Sequence, residues 1–349
     1  MKVIFAPDYG DNDYQPSLKA ALASLGIEVF PAYRRLLFPI SGPCFRIGPQ
    51  VLHLHWLGPY LFSSNWLFSI VKFLLFIAEL FLCRLKGVRI VWTVHDIYNH
   101  EGYQKKLEIF FNRIIILFAD SLIVHSQGQK AALSLFYGVS AGNKTVVALE
   151  GGYNHIYSRG ISSAEARSRL SVSSDKKVFL FYGNIRPYKG LDVLIDAFII
   201  DPEDKVLLIA GKCIDRITEE RIKGKIGGFT NVVFYPGYAT AEKTALLFSA
   251  ADAVILPYLA IFNSGLIPLC LSMGKPVIYS DLELLKEQLE GCGISFKAGD
   301  AAALARAMRE ISIEDIHGFS VESRRRGGLR SWEKHAEILL SVYGKNSKK

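Results

Sequence analysis

The chain has 349 residues, half of them hydrophobic, and a formal net charge of +8. This length predicts two domains of about 150–200 residues, and the apolar content excludes a disordered chain. The five cysteines are scattered without a C-x-x-C pair, which argues against a disulfide framework or a structural zinc site and favours a reducing, cytoplasmic compartment. The N-terminal MKVIFAPDYG runs directly into a strand pattern, so we expect no signal peptide.

Short β-branched and aromatic runs alternate with longer helical stretches along the whole chain. Six runs lie in the first half: VIFAP (3–7), IEVF (27–30), VLHLHW (51–56), VRIVWTVH (88–95), SLIVHS (121–126) and TVVALE (145–150). Six lie in the second half: KVFLFYG (177–183), KVLLIAG (205–211), NVVFYPG (231–237), DAVILPY (252–258), KPVIYS (275–280) and GISF (293–296). Nearly continuous apolar strands separated by helices predict parallel sheets covered on both faces. We expect an α/β protein with two doubly wound, Rossmann-like domains at 1–160 and 161–330, followed by a C-terminal helix within 331–349 that packs back toward the first domain.

Ligands of open α/β sheets bind at the carboxyl ends of the strands. Many of the predicted strands end in residues with binding chemistry: Pro7-Asp8-Tyr9, His53, His55-Trp56, His95-Asp96, His125-Ser126, Gly183, Gly211-Lys212, Gly237-Tyr238 and Pro257-Tyr258. Two such edges that face each other would form a cleft between the domains.

The stretch YGNIRPYKG (182–190) has the character of an anion-binding turn. Gly183 removes a side chain where a backbone must approach a ligand. The apolar spacing of LDVLIDAF predicts a helix directly after it, so Arg186 and Lys189 lie at a helix N-terminus, where N–H groups favour an anion. Arginine binds phosphate bidentately and lysine adds a compact charge. The turn therefore predicts a phosphate site, unless both cations are merely solvent-exposed.

Three longer motifs follow the turn: VLLIAGK, NVVFYPGYATAEKTALLFSAADAVILPY and NSGLIPLCLSMGKPVIYSD. In order and spacing, residues 177–296 resemble the C-terminal, nucleotide-sugar-binding domain of GT-B glycosyltransferases, in particular retaining glycosyltransferase family 4. HLHW and VWTVHDIYNHEG resemble the N-terminal half of bacterial exopolysaccharide and lipopolysaccharide transferases, and SWEKHAEILLSVY (331–343) resembles the closing helix of the family. The resemblance covers nearly the whole chain.

The resemblance implies a hexosyltransferase that moves a sugar from a GDP- or UDP-linked donor to a hydroxyl of a glycan or polyprenyl-linked glycan, in bacterial surface polysaccharide synthesis. Arg186 and Lys189 would hold the donor diphosphate and stabilise the leaving group. The other donor-binding residues it implies are Gly183, Lys212, Tyr238, Asn263, Ser264 and Gly265.

One departure from the family concerns two glutamates that usually stand eight positions apart in the second donor loop. Alignment on GKPVI puts Ile261 and Leu269 there, and neither side chain accepts a hydrogen bond. Contacts to sugar or ribose hydroxyls must then come from elsewhere, with Ser264 the nearest candidate, and the retaining or inverting outcome stays open.

The first half carries the acceptor-side predictions. In the resembling family a histidine at the place of His95 approaches the donor sugar, and a neutral imidazole can share a proton there; a purely structural histidine is the alternative. Asp96 is the second candidate base. The loop DYGDNDYQ (8–15) offers polar groups to acceptor hydroxyls, although a plain polar loop is the alternative. The acceptor-binding candidates are Asp8, Tyr9, Tyr14, Gln15, His55, Trp56 and Asp96, with Asn12 a further polar group of the loop.

We expect no metal and no cofactor. Asp11-Asn12-Asp13 has the form of a D-x-D pair, but that motif belongs after a later strand of a different, single-domain transferase fold, and Arg186 and Lys189 already neutralise a diphosphate. No metal-ligand spacing, G-x-S-x-G, P-loop or G-x-G-x-x-G is found elsewhere. The basic segment 321–349, with eight Lys and Arg against three Glu, is compatible with nucleic acid, an anionic lipid surface or plain solvation; the resemblance implies no nucleic-acid partner.

The apolar stretch NWLFSIVKFLLFIAELFLCRLK (65–86) is long enough to suggest a membrane span. Its polar residues fall on one narrow helical stripe: Asn65, Ser69, Lys72, Glu79 and Lys86. Three interpretations remain open: a helix buried on most sides, a helix whose apolar face dips into an anionic membrane surface, and a spanning helix, which Lys72 and Glu79 disfavour.

Two other functions share this architecture. A nucleotide-sugar 2-epimerase would need acidic and basic groups around the sugar C2, and the missing glutamates count against it. A non-catalytic partner subunit would be expected to lack Arg186 or Lys189, and both are present.

Overall fold

The computed structural model describes residues 1–10, 12–33, 38–98, 104–157 and 160–344. The chain divides into two compact units. The first comprises Met1–Gly151 together with the C-terminal segment from Ser331, and the second comprises Gly152–Arg330. The predicted boundary at residue 160 therefore falls inside the second unit.

The first unit contains a six-stranded parallel sheet with the order β2-β1-β3-β4-β5-β6. Its strands are β1 (Lys2–Ala6), β2 (Glu28–Pro31), β3 (Val51–Leu54), β4 (Arg89–Thr93), β5 (Ser121–Val124) and β6 (Thr145–Val147). Its helices are α1 (Tyr14–Ser24), α2 (Ser41–Ile47), α3 (Gly58–Leu61), α4 (Trp66–Leu85), α5 (Lys105–Phe118), α6 (Gln127–Tyr137) and α7 (Val139–Lys144). β3 and β5 are buried at every residue, as expected for interior strands covered on both faces.

The second unit contains another six-stranded parallel sheet, with the order β12-β11-β10-β7-β8-β9. Its strands are β7 (Lys177–Tyr182), β8 (Lys205–Gly211), β9 (Val232–Pro236), β10 (Ala253–Leu256), β11 (Val277–Ser280) and β12 (Gly293–Phe296). Its helices are α8 (Asn154–Tyr157), α9 (Ser163–Arg169), α10 (Leu191–Ile200), α11 (Arg216–Ile226), α12 (Ala241–Ala250), α13 (Leu266–Ser272), α14 (Glu283–Leu289), α15 (Ala301–Glu310) and α16 (Ile313–Gly328). Each of the twelve predicted runs overlaps a strand, and the predicted doubly wound α/β class is confirmed.

The strand order of each sheet reverses at one point, and ligands of open α/β sheets bind there. In the first sheet this point lies between β1 and β3, because the chain leaves β1 toward β2 and later continues from β3 in the opposite direction. In the second sheet it lies between β7 and β10. The loops after these four strands are therefore the natural binding positions of the two units.

The last helix, α17 (Trp332–Tyr343), belongs to the first unit and packs against α1. Its buried residues recur at helical spacing along one face: Trp332, His335, Ala336, Leu339, Val342 and Tyr343. Gly151 allows the close fit, because a Cβ atom at that position would stand 2.5 Å from the Trp332 ring.

Helix α4 presents its polar stripe to the domain and its apolar residues to the outside. Ser69 and Glu79 of the stripe are buried, as is Cys83 on the same side, and Lys72 is half-buried, whereas Asn65 and Lys86 at the two ends are exposed. Eight large apolar side chains are each at least 45% exposed: Trp66, Leu67, Phe68, Val71, Leu74, Leu75, Phe81 and Leu85. The helix is long and apolar enough to cross a membrane, with a mean hydropathy of 2.1. Only 33% of its most apolar window is buried in the protein, far less than a core helix requires. The interpretation as a helix buried on most sides is therefore wrong.

Candidate functional site

The end of β7 and the turn after it form a compact cationic corner in the second unit. Gly183 has a φ of +101°, which L side chains rarely adopt, and a Cβ atom built on it would lie 3.3 Å from the Lys189 Nζ. Arg186 is extended and directly precedes a short 3₁₀ helix, Pro187–Lys189. Helix α10 begins after Gly190, so both cations stand at its N-terminal end. This arrangement is the one that YGNIRPYKG predicts.

Two contacts fasten this turn to the loop that follows β10. A Cβ atom on Gly190, whose φ is +67°, would stand 1.9 Å from the Pro257 carbonyl oxygen, so glycine is required for this close approach. The Leu259 N–H donates a hydrogen bond of 2.7 Å to the Tyr188 carbonyl. The two loops of the switch point are thus held together by backbone, and Lys189 has a fixed position between them.

The surroundings of Lys189 lower the pKa of its ammonium group. Burial and, second, the positive charge of Arg186 lower the Lys189 pKa from its usual value to about 8. Its ammonium lies 5.7 Å from the ring centroid of the buried Tyr258, and no described carboxylate forms an ion pair with it. Arg186 and Lys189 are neighbouring cations at a helix N-terminus, and no described carboxylate neutralises the lysine. This arrangement is electrostatically suited to bind an anion.

The loop after β10 supplies the remaining predicted donor residues. The Tyr258 hydroxyl lies 3.2 Å from the Ser264 Oγ, which also accepts a hydrogen bond from the Leu266 N–H. Asn263 and Ser264 are half-buried, and Gly265 is exposed at the start of α13. The structure therefore brings Ser264 to the same switch point as Gly183 and Lys189.

The two positions at which the resemblance implies glutamates look different from a polar site. Leu269 is 5% exposed within α13 and contributes to the core, and Ile261 is half-buried. Apolar packing of Leu269 stabilises the helix that carries it, so this position gives a ligand no hydrogen-bond partner.

Lys212 and Tyr238 stand together at the ends of β8 and β9. The Lys212 ammonium lies 5.2 Å from the Tyr238 ring centroid, and Tyr238 is 76% exposed. The Ile185 N–H donates to the Lys212 carbonyl at 2.8 Å, which joins the turn after β7 to this neighbouring strand end. The predicted donor residues thus follow four adjacent strands, in the sheet order β10, β7, β8 and β9.

In the first unit, His95 lies in an aromatic stack at the carboxyl ends of β3 and β4. The Trp56 ring stacks on it at 3.9 Å with an interplanar angle of 11°. The His95 Nε2 lies 3.5 Å from the His55 Nδ1, and both histidines are buried. Burial, and then the neighbouring histidines, lower both pKa values well below the ordinary range, so both rings are neutral near pH 7.

A hydrogen-bonded network behind this stack ties α17 to the strands. The His53 Nδ1 lies 2.6 Å from the Tyr343 hydroxyl, and the His53 Nε2 lies 2.7 Å from the Thr93 Oγ1. The Tyr14 hydroxyl lies 3.5 Å from the His335 Nε2, and the His335 Nδ1 lies 2.9 Å from the Leu149 carbonyl. Because a carbonyl only accepts, the His335 Nδ1 is the donor.

Apart from Tyr14, the residues of this network were not among the predicted site residues, although most of them left a trace in the sequence. His53 is the first histidine of HLHW, and His125, whose ring centroid lies 5.6 Å from that of His335, ends a predicted strand. Trp332, His335 and Tyr343 recur at helical spacing in SWEKHAEILLSVY. Burial and the nearby Glu150 raise the Tyr14 pKa well above its usual range, so this predicted acceptor residue is a neutral phenol of the network.

The loop after β1 uses several predicted acceptor residues for its own shape. Asp8 forms an ion pair of 2.5 Å with Lys19. The fully buried Gln15 accepts from the Tyr9 N–H at 2.6 Å and donates to the Pro7 carbonyl at 2.8 Å. Gln15 therefore shapes the loop, whereas the Tyr9 ring lies 5.8 Å from that of Trp56, beside the stack.

Two further predictions concern groups at the edge of the first sheet. Asp96 is exposed directly after His95. Asp11 of the D-x-D triplet lies outside the described residues, and the Asn12 Oδ1 accepts from the Gln15 N–H at 3.0 Å. Within the part of the chain that the structure describes, no three His, Cys, Asp or Glu residues are grouped so as to hold a metal ion.

Residues 176–313 match the protein-family model described as Glycosyl transferases group 1. The chain is 26% identical over 234 residues to a D-inositol 3-phosphate glycosyltransferase of Mycobacteroides abscessus, covering 65% of this chain and 52% of that protein. It is 24% identical over 308 residues to a GDP-mannose:glycolipid 4-beta-D-mannosyltransferase of Xanthomonas campestris pv. campestris, covering 85% of this chain and 81% of that protein. The chain thus spans about half the length of the first of these relatives.

Two solved structures resemble almost the whole chain. A sucrose-phosphate synthase from Thermosynechococcus elongatus has a TM-score of 0.80 at 19% identity, covering 98% of each chain. HepE of Anabaena, in complex with UDP and glucose, has a TM-score of 0.74 at 18% identity, covering 98% of this chain and 100% of that one. At these identities the likeness shows a common fold.

Proposed function

We propose a hexosyltransferase, on the premise that residues 176–313 form a domain of the Glycosyl transferases group 1 family and that the chain has the GT-B fold. Its donor is a GDP- or UDP-linked hexose, and its acceptor is a hydroxyl of a glycan or lipid-linked glycan in bacterial surface polysaccharide synthesis. The observation that carries the proposal is the pair of cations, Arg186 and Lys189, at the switch point of the second sheet.

The donor assignment rests on the fit between this corner and a diphosphate. Arg186 offers a planar, bidentate donor and Lys189 a point charge held over Gly183, beside the N-terminus of α10. The structural neighbour HepE binds UDP and glucose, which supports a nucleotide sugar as the ligand class. Lys212 and Tyr238 offer a cation and an exposed ring for the ribose and base, and Asn263, Ser264 and Gly265 meet the sugar.

In the proposed reaction, the bond between the anomeric carbon and the diphosphate oxygen breaks and its electron pair leaves with the diphosphate. The acceptor oxygen bonds to the anomeric carbon, and its proton passes to the departing diphosphate or to the imidazole of His95. Arg186 and Lys189 stabilise the charge that develops on the leaving group, an effect of several kcal/mol where water is excluded. Because two protein cations supply this stabilisation, we propose that no metal ion is needed.

The acceptor assignment rests on the first unit. A neutral His95 accepts a proton or hydrogen-bonds a sugar hydroxyl, and the stacked Trp56 offers an apolar ring to a sugar face. The Xanthomonas relative is named for a glycolipid acceptor, which supports a lipid-linked glycan. All five cysteines are free thiols, in keeping with a cytoplasmic enzyme. With a lipid-linked acceptor, this enzyme would act at the cytoplasmic face of the membrane.

A thermal-unfolding series with UDP, GDP and ADP tests the donor site. A nucleotide at about 100 times its Kd adds roughly 2.7 kcal/mol to the folded state. We expect UDP or GDP to stabilise the wild-type chain and to have no effect on Arg186→Ala or Lys189→Ala. Matched controls are Arg216→Ala and Lys286→Ala, both on surface helices of the same unit and paired with a neighbouring glutamate.

The proposal fails if no nucleotide stabilises the wild type, or if the stabilisation survives in both site variants. With the matching nucleotide sugar, the rate of nucleotide release with and without a glycolipid acceptor then separates the functions. Acceptor-dependent release supports transfer, an isomerised sugar without it indicates an epimerase, and binding without turnover indicates a non-catalytic subunit.

A further inference from the structure

The outward face of α4 is an apolar surface that is built into the first unit. We define this face by its exposed residues: Trp66, Leu67, Phe68, Val71, Leu74, Leu75, Phe81 and Leu85. On an α-helix most of these positions lie on the side away from Ser69, Lys72, Glu79 and Cys83, while Phe68 and Leu75 border those polar positions. A helix of 20 residues is about 30 Å long, so the face is far larger than a single exposed side chain.

Polar contacts on the inner side fix this orientation. The buried Glu79 carboxylate accepts hydrogen bonds from the Ile40 N–H, the Ser41 N–H and the Ser41 hydroxyl, at 2.8, 2.8 and 3.1 Å. The Lys72 ammonium donates to the Pro59 and Phe62 carbonyls, each at 2.7 Å. Rotating or extracting the helix would leave these groups unpaired, so the apolar face must point outward.

The surface continues onto α5 and gains positive charge there. Phe110 and Leu117 are 55% and 69% exposed, and the Phe110 ring lies 6.3 Å from that of Phe73 on α4. At 100° per residue, Lys106 and Arg113 fall on the same side of α5 as these two apolar residues, and both are exposed. At the other end of α4, the Lys86 ammonium lies over the ring of the exposed Phe45, 4.9 Å from its centroid.

We propose that the outward face of α4, with the neighbouring face of α5, docks flat on the surface of an anionic phospholipid bilayer. Protein interfaces carry about one hydrogen bond per 100–200 Å², whereas the exposed positions of α4 are apolar apart from Arg84, which forms an ion pair with Asp120. The hydrocarbon of a bilayer forms no hydrogen bonds with a protein surface. Cations beside an apolar face are complementary in charge to anionic lipid headgroups. The Glu79 and Lys72 contacts hold the helix along the domain, parallel to the bilayer, and do not release it to span.

The basic C-terminal segment is a weaker candidate for the same role. Arg325 and Arg326 both bind the Glu322 carboxylate, and Arg330 donates to the Gln288 amide oxygen. These arginines thus stabilise the second unit and are not interleaved with a continuous apolar face as Lys106 and Arg113 are.

Vesicle sedimentation of the full chain tests the docking surface. The vesicles are phosphatidylcholine alone or phosphatidylcholine with about one third phosphatidylglycerol. We expect binding to the anionic vesicles, and a partition coefficient at least about tenfold lower for the double variant Leu74→Ser, Phe81→Ser. The double variant Lys106→Gln, Arg113→Gln should lose the preference for anionic vesicles. The control is Ile217→Ser, Ile313→Ser, which removes two apolar residues of the second unit that are more exposed than Leu74 and Phe81, and this variant should bind as the wild type does.

Depth-dependent quenching distinguishes a flat helix from a spanning one. Trp66 is 57% exposed at the start of the face, and its signal is isolated by difference against Trp66→Phe. Lipids brominated near the headgroup should quench Trp66 more strongly than lipids brominated near the chain end. Stronger quenching by the deep label overturns flat docking.

Two other outcomes also overturn the proposal: wild-type binding by the α4 variant, and a dimer in sedimentation equilibrium that the α4 variant abolishes while vesicles bind neither protein. Circular dichroism verifies that the variants fold. The docking surface and the cationic corner consist of different residues, so the two proposals can fail separately. Vesicle binding without stabilisation by any nucleotide would reject the proposed transfer alone. Stabilisation by a nucleotide without vesicle binding would reject the docking alone.

Discussion

The Lys189 ammonium nitrogen lies 3.3 Å from the point at which a Cβ atom would stand on Gly183. The glycine therefore serves the site in two ways: it adopts a φ of +101° and it leaves the space in which the ammonium stands. A cation at this position is presented by the backbone geometry of two loops, and not by a carboxylate partner that a ligand would first have to displace.

Gly183→Ala should weaken nucleotide binding more than it weakens the fold. Strain at a positive φ costs about 1–2 kcal/mol, while the added methyl pushes the Lys189 ammonium from its position. We expect at least a tenfold loss of affinity for the diphosphate, measured by calorimetry. Gly224→Ala is the control, because a Cβ atom there would have no neighbour within 4 Å. Unchanged affinity in Gly183→Ala would detach Lys189 from the binding site.

Diphosphate binding should weaken above pH 8. The Lys189 pKa is about 8 because of burial and the nearby Arg186, and a bound anion raises it, so binding above that pH takes up a proton. Affinity should be level below pH 8 and fall by up to about tenfold per pH unit above it. Titration calorimetry at several pH values measures this. Arg186→Ala removes a repelling cation and should move the onset to higher pH, whereas a flat profile up to pH 9 would contradict the assignment.

The first unit should lose stability in acid. Burial lowers the pKa values of His53 and His335 from 6.5 to about 3, with other histidines contributing. The unfolded chain then binds these protons first, so the stabilisation is complete above pH 6.5 and is lost as the pH falls toward 3. The loss should approach about 2.7 kcal/mol per pH unit for the two groups together.

Tryptophan fluorescence during urea unfolding measures this loss, because Trp56, Trp66, Trp92 and Trp332 all belong to the first unit. His335→Gln should reduce the slope with pH by about 1.4 kcal/mol per pH unit, the share of one histidine. A free energy of unfolding that does not change between pH 6.5 and 4.5 would mean that these rings are not buried as neutral groups.

Glu79→Ala should destabilise the contact between α2 and α4. Three buried donors lose their acceptor, which costs about 3 kcal/mol. The control is Glu283→Ala, which removes an exposed side chain paired with Lys286 and should cost under about 0.5 kcal/mol. Both are measured by urea unfolding, the first by tryptophan fluorescence and the second by circular dichroism, and equal effects would contradict the buried role of Glu79.

The strand pattern and the turn at 182–190 were readable in the sequence because both are local. Buried parallel strands need continuous apolar runs, and a cationic helix N-terminus needs only neighbouring residues. The outcome for α4 was less accessible, since a polar stripe on an amphipathic helix ordinarily faces water. Only the positions of Ile40 and Ser41, almost forty residues earlier, show that Glu79 faces inward.

The histidine network was not predictable for a related reason. It joins His53 to Tyr343 across 290 positions and Tyr14 to His335 across 321, and no local period encodes such distances. Gln15 illustrates the same limit on a smaller scale: its amide suits a ligand equally well, and only the path of the loop directs it to the Pro7 carbonyl.

The return of α17 to the first unit has a consequence for synthesis on the ribosome. The second unit is continuous from Gly152 to Arg330, so it can complete its core as soon as it emerges. The first unit cannot, because Trp332, His335 and Tyr343 are translated only after the whole second unit. Although the strands of the first unit are synthesised first, this unit therefore completes its core only after the second unit has been synthesised.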